Sequence, residues 1–154
     1  MIQRIQSLYF LLAILFQVLF FTGPVASFTS DFPVEYRMEV KGLFVVTDEG
    51  LLRHEGSIPL YVLAGLVIPL LLLGLLSYKK RKLQMRIAIF ALLLLLGLSA
   101  LTIYYLLYFR GKFSIQPVYE FRIVLPVVSA ILTYLGYRGV LKDELLISSY
   151  DRLR

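Results

Sequence analysis

Four apolar runs separated by polar stretches organise the chain, covering about residues 5–22, 58–78, 84–108 and 119–138. Between Ser7 and Phe21 the only amide is Gln17, and residues 58–77 and 87–109 carry no charge at all. About 20 apolar residues at a rise of about 1.5 Å cross a hydrocarbon layer of about 30 Å, so each run has the length of a membrane span. The pattern predicts an all-α membrane protein: a four-transmembrane-helix bundle with a small antiparallel β-rich loop between helices 1 and 2, all in one integral membrane domain over residues 1–154.

The loop, residues 27–57, has a different period. Val34 to Lys41 alternates apolar with charged at every position, the signature of a half-buried strand. Its polar face alternates in sign (Glu35, Arg37, Glu39, Lys41), which suits pairing with a neighbouring strand. Leu43 to Thr47 is a second β-rich run, and Asp48-Glu49-Gly50 reads as a turn before Leu51-Leu52-Arg53. A sheet of two or three strands follows. Because an isolated hairpin is marginal in water, the apolar face of Val34, Tyr36, Met38 and Val40 should rest on the helix ends or on a partner.

Within the runs, small residues and prolines mark how the helices meet. Pro59 suits a first turn and Pro69 should kink the second helix. Gly65 and Gly74 offer points of close approach. The third helix carries Gly97 within a small-residue patch and ends in Tyr104, Tyr105, Tyr108 and Phe109, an interface belt. The connection 111–117 is short, so the third and fourth helices form an antiparallel hairpin, with Pro126 about one turn inside the fourth. Ser129, Thr133 and Gly136 share a face of that helix, and with Gly97 they are the candidate packing seam. The tail, 139–154, places Leu141, Leu145 and Leu146 at helical spacing, consistent with an amphipathic extension along a membrane surface.

Charge then orients the picture. Lys79, Lys80, Arg81, Lys82 and Arg86 lie between the uncharged stretches 58–77 and 87–109. With four spans, one side holds ten Lys/Arg against three acids and the other six against seven. The excess on one face is what the positive-inside rule expects of cytoplasmic loops, which puts both termini on the cytoplasmic side. The cluster also meets the size of an anionic-lipid site. The first run admits two readings, an uncleaved span or a secretory signal ending near Ala26 and Ser27. The net charge of +6 is thus explained without nucleic acid.

The termini carry a resemblance. Met1-Ile2-Gln3-Arg4-Ile5-Gln6 ahead of an apolar span, with Arg138-Gly139, Lys142-Asp143-Glu144 and a closing Asp151-Arg152-Leu153-Arg154, resemble an uncharacterised family of small four-helix inner-membrane proteins of Bacteroidota. The resemblance implies four spans and no particular chemistry. It singles out Gln3, Arg4, Gln6, Asp151 and Arg152 which, with Lys79, Lys80, Arg81 and Lys82, are candidate contacts for a partner or for lipid.

Chemistry is sparse. Cysteine is absent, and His54, the single histidine, lies beside Glu55 in the loop, where a metal would need further ligands. No ionisable residue falls inside a predicted hydrocarbon core, which argues against a pump or coupled transporter. The KDEL letters at 142–145 are not terminal and cannot act as a retrieval signal. No catalytic, cofactor or metal residue is expected, and no small-molecule substrate is identified. Membrane lipids and other membrane proteins are the expected partners. The leading reading is a non-enzymatic accessory or scaffold subunit of a larger inner-membrane assembly. Two alternatives stand beside it: a small transporter or lipid-binding protein with the Ser129, Thr133 and Gly136 seam lining a cavity, and a contact protein acting through its outer loop.

Overall fold

A computed structural model describes residues 3–29, 35–47, 50–113 and 116–151. Among the described residues there are four α-helices: α1 (Gln3–Phe21), α2 (Ile58–Leu76), α3 (Arg81–Phe113) and α4 (Leu125–Asp151). Three of them contain stretches long and apolar enough to cross a membrane, over Ile58–Leu76, Arg81–Lys112 and Phe121–Leu146; the apolar part of α1, Ile5–Phe21, is shorter. Large apolar side chains stand exposed around the bundle, among them Leu11, Leu15, Leu66, Leu73, Phe90, Leu93 and Ile131. The helices bury one face each, with Phe10, Phe20, Leu60, Leu71, Leu95 and Leu98 inside, and leave other leucines on the exterior.

The sheet is larger than the loop alone predicts. It has five antiparallel strands in the order β4-β3-β2-β1-β5, where β1 is Pro24–Thr29, β2 Glu35–Glu39, β3 Gly42–Thr47, β4 Gly50–Gly56 and β5 Gln116–Tyr119. The period-two stretch is β2, although Val34 lies outside the described residues, as do Asp48 and Glu49 of the expected turn. Two strands were not foreseen. β1 starts three residues after α1 ends, and β5 is donated by the connection between α3 and α4, pairing Ala26 with Tyr119 and Thr29 with Gln116. Prolines at 24 and 117 hide both from a strand reading. Pro117 is accommodated because β5 is an edge strand.

The sheet rests on the helix ends. Met38, Val40, Leu43, Val25 and Phe28 pack in one cluster with Phe20 of α1, Leu60 and Ala64 of α2, and Leu98, Leu106 and Phe109 of α3. Val40 and Lys41 form a two-residue connection from Glu39 to Gly42, and Ser57, at the start of α2, grips it. The Ser57 hydroxyl donates to the Val40 carbonyl at 2.9 Å and its N–H donates to the Lys41 carbonyl at 3.2 Å. The expected cross-strand charge pairing is replaced by a contact along one strand, Arg37 to Glu35 at 3.6 Å. Arg37 instead faces Ser27 and Phe44 across the ladders.

The ends of the last helix also differ from expectation. A 3₁₀ turn, Phe121–Val124, precedes α4, so Pro126 sits in its first turn. The residues expected to form a separate tail continue α4 without interruption to Asp151. In α2, Pro69 lies in the helix interior, as its place in the sequence indicates.

Gly42 carries the tightest backbone requirement. Its φ is +146°, and a β-carbon there would run into the Glu55 carbonyl oxygen; Gly50, with φ +126°, has open space around it. Gly42→Ala should therefore cost roughly 1–3 kcal/mol of stability through backbone strain plus a steric term, whereas Gly50→Ala should cost only the strain. Thermal unfolding of the two variants in mild detergent checks this, with the lower midpoint expected for Gly42→Ala.

Candidate functional site at the seam between the first and fourth helices

α1 buries Gln6, Phe10, Ala13, Gln17 and Phe20, spaced four, three, four and three residues apart, which is one helical face. That face meets α4 running antiparallel, and the polar groups of the interface occur in order along it. At the end nearest the basic loop, Gln6 Nε2 donates to Asp143 Oδ2 at 2.6 Å, with the two residues 6% and 9% exposed. Gly139 lies directly beneath, since a β-carbon there would come within 2.7 Å of Gln6 Cγ. The absence of that carbon is what lets the Gln6 stem lie flat on α4.

One turn along, the Phe10 ring fills space left by two glycines. A β-carbon at Gly136 of α4 would lie 3.0 Å from Phe10 Cε2, and one at Gly74 of α2 would lie 3.4 Å from Phe10 Cε1. The ring is fully buried and joins three helices, since Ile87 of α3 also borders Gly74. Next, Ser129 Oγ donates to the Ala13 carbonyl at 3.3 Å, and Thr133 Oγ1 donates to the Ser129 carbonyl at 2.7 Å. Gln17 follows, fully buried, with neither Oε1 nor Nε2 hydrogen-bonded among the described residues. At the sheet end, the Arg122 guanidinium lies against Gly23, where a β-carbon would collide with it, and 5.3 Å from the Phe121 ring.

A second polar cluster ties the sheet to α3. Lys112 Nζ donates to Glu55 Oε1 and Oε2 at 2.8 and 2.9 Å and to Tyr108 Oη at 3.2 Å, while Tyr108 Oη donates to Glu55 Oε1 at 3.3 Å. The cluster is solvent-facing, and it anchors β4.

With this geometry in view, comparison with known families is informative. Residues 2–153 match the family described as a domain of unknown function, DUF4293. The chain belongs to this family. The match takes in nearly the whole chain, so DUF4293 membership is a property of the bundle and sheet together and not of the terminal motifs alone. No curated protein matches the chain.

The residues singled out from sequence distribute unevenly over the DUF4293 fold. Gln6 enters the seam, whereas Gln3 and Arg4 belong to the first turn of α1 and Asp151 is the last residue of α4; Arg152 lies outside the described residues. Ser129, Thr133 and Gly136 are buried together against α1. Gly97 does not join them: it is exposed, with no atom within 4 Å of where a β-carbon would sit, and Gly65 is equally unopposed. Lys79 closes the 3₁₀ turn Ser77–Lys79 between α2 and α3, Lys80 and Lys82 are exposed and Arg81 is half-buried, all remote from the seam in sequence and on other elements. His54 is the extra residue of a β-bulge, because Leu43 pairs with Glu55 and Phe44 with Arg53. Among the described residues no three His, Cys, Asp or Glu side chains gather to hold a metal.

Asp143 is the seam residue that the sequence reading missed. Within Lys142-Asp143-Glu144 it reads as one charge of a solvated tail. Its distance from Gly136, seven residues or two helical turns, is the signal that places it on the seam face. The Gln6–Asp143 hydrogen bond joins the two helices across the seam and so positions one against the other.

Two substitutions should move stability in opposite directions. Gln6→Ala leaves a buried carboxylate without its donor and should cost about 1–3 kcal/mol, most of which the double variant with Asp143→Ala recovers. Gln17→Leu removes two unpartnered buried atoms and should raise stability by a similar amount. Thermal unfolding in mild detergent reads both, and a fall for Gln17→Leu would reveal that its amide has a partner.

Proposed function

We propose that this chain is a non-enzymatic, four-span integral membrane protein that serves as a scaffold or accessory subunit of a larger membrane assembly, holding its sheet at a fixed position above the bilayer for another protein to engage. Several features support the spanning part of this reading. Three helices have the necessary length, and the apolar part of α1, about 17 residues, meets the lower limit for a span. The leucine-rich exterior has the character of a lipid-facing surface. Lys79 to Arg86 and the end of α4 occupy one end of the bundle and the sheet the other, an arrangement that under the positive-inside rule supports a cytoplasmic basic end.

The observation that carries the scaffold reading is the pairing of β5 with β1. The α3–α4 connection and the chain leaving α1 enter the same sheet, so the platform is fixed to the bundle by strands as well as by side chains. A hairpin hanging from one loop would swing, whereas this sheet is attached at α1, α2, α3 and α4. Its far edge, β4, is the outer strand of the sheet among the described residues, with Leu52 60% exposed, and an edge strand is the kind of element to which a partner strand can add. By contrast, Ser129, Thr133 and Gly136 face Ala13 and Phe10 of α1, so the seam that a transporter reading would use as a path is occupied by side chains.

A photoreactive residue at position 52 should capture a discrete protein in native membranes, and mild-detergent purification should retain it. Capture of nothing but lipid, or a chain that always purifies alone, would contradict the scaffold reading. Orientation is read separately: in intact cells an impermeant maleimide should label Leu52→Cys and spare Lys82→Cys and Glu144→Cys until the membrane is opened. The chain has no native cysteine to confuse the result.

A further inference from the structure

We propose that the outward face of α4 at the basic end binds one anionic phospholipid, its phosphate held between Arg138 and Lys142 and an acyl chain lying along the groove between α3 and α4. This inference rests on the reading that the helices span a bilayer. Two surface depressions lie along this face. One, of about 420 Å³, is bordered by Leu135, Arg138, Gly139, Lys142 and Leu145. The other, of about 300 Å³ and lined only by apolar surface, lies between Leu92 and Leu96 of α3 and Val127, Ala130, Ile131 and Tyr134 of α4. The Arg138 guanidinium is 6.0 Å from the Tyr134 ring, so a side chain of the first depression sits over a side chain of the second.

Charge selects the occupant's head. Arg138 and Lys142 are one helical turn apart, both exposed, and neither joins an ion pair among the described residues. The adjacent carboxylate, Asp143, is turned to the other side of the helix and taken by Gln6. Two cations that close suit a phosphate, and a headgroup of net negative charge suits them better than a zwitterionic one. Dimensions select the occupant's tail. From Arg138 to Val127 the helix rises about 16 Å, which matches the depth of one leaflet of a hydrocarbon layer about 30 Å thick. A chain starting at the cations therefore reaches the bilayer midplane as it reaches Val127. The exposed rim of leucines on either side leaves this face to lipid and not to solvent.

The full chain, purified in zwitterionic detergent and incorporated in nanodiscs of phosphatidylcholine containing a minority of phosphatidylglycerol, tests the site by native mass spectrometry of the retained lipid. A retained phosphatidylglycerol adduct is expected. Arg138→Gln should weaken its binding about fivefold and the double variant Arg138→Gln/Lys142→Gln about thirtyfold, the factors for losing one and two basic groups near an anionic surface. Arg138→Lys should keep it. Arg86→Gln, which removes an exposed cation of the same end but of another face, should leave it unchanged, and Val127→Trp, which fills the deeper groove, should weaken it with both cations intact. All these positions are at least partly exposed, so unfolding midpoints in lipid-free detergent should stay near wild type; a misfolded double variant leaves Arg138→Gln and Val127→Trp to decide. The proposal is overturned if phosphatidylcholine is retained equally, if Arg86→Gln costs as much as Arg138→Gln, if inorganic phosphate alone displaces the adduct, or if Val127→Trp has no effect. Failure of the spanning reading looks different: alkaline carbonate would then release the chain from its membranes.

Discussion

The Phe10 ring, set between Gly136 of α4 and Gly74 of α2, is the contact on which the rest of the molecule depends. Glycine on both sides lets one aromatic side chain fill the space where three helices converge. The ring fixes the rotation of α1 and its height against α4. With that register set, Gln6 falls opposite Asp143 and Ala13 opposite Ser129, and the polar atoms of the interface are satisfied by one another at both places. A slip of one turn would strand a carboxylate and an amide inside the bundle, at a cost of a few kcal/mol each. The register is thus enforced twice, by shape at Phe10 and by hydrogen bonding at Gln6.

The same register reaches the sheet. Gly23 follows α1 almost at once, and its missing side chain is the space into which Arg122 fits. β1 begins at Pro24, and β2 and β5 then add to its two edges. Because β1 is continuous with α1, the sheet's position over the helices is an extension of how α1 lies against α4. Ser57 and the Lys112–Glu55–Tyr108 cluster complete the attachment from α2 and α3.

Much of this was legible in the residues and some was not, for physical reasons. Length and apolar content alone show the helices, because few other structures need such runs. The Ser129, Thr133 and Gly136 stripe was visible as a packing face, and the period of β2 identified a strand. Gly97 and Gly65 show the limit of that logic: a small residue permits close approach, and only a neighbour makes use of it. β1 and β5 were hidden because a short strand containing proline has no local signal, and because their pairing joins segments about 90 residues apart. Asp143 was hidden by its company. Lys142 and Glu144 made it look solvated, and the burial of one charge among three is decided by which face of α4 meets α1.

The seam can be tested directly, since the chain contains no cysteine. Paired cysteines at Gln6 and Gly139, introduced in the full chain and oxidised in native membranes, report the register of α1 against α4. A β-carbon at Gly139 lies within bonding range of the Gln6 stem, so an intramolecular disulfide should form rapidly there, whereas Leu8→Cys, on the exposed face of α1, should not pair with Gly139→Cys. Failure of the first pair to close, or closure of both at the same rate, would contradict the account.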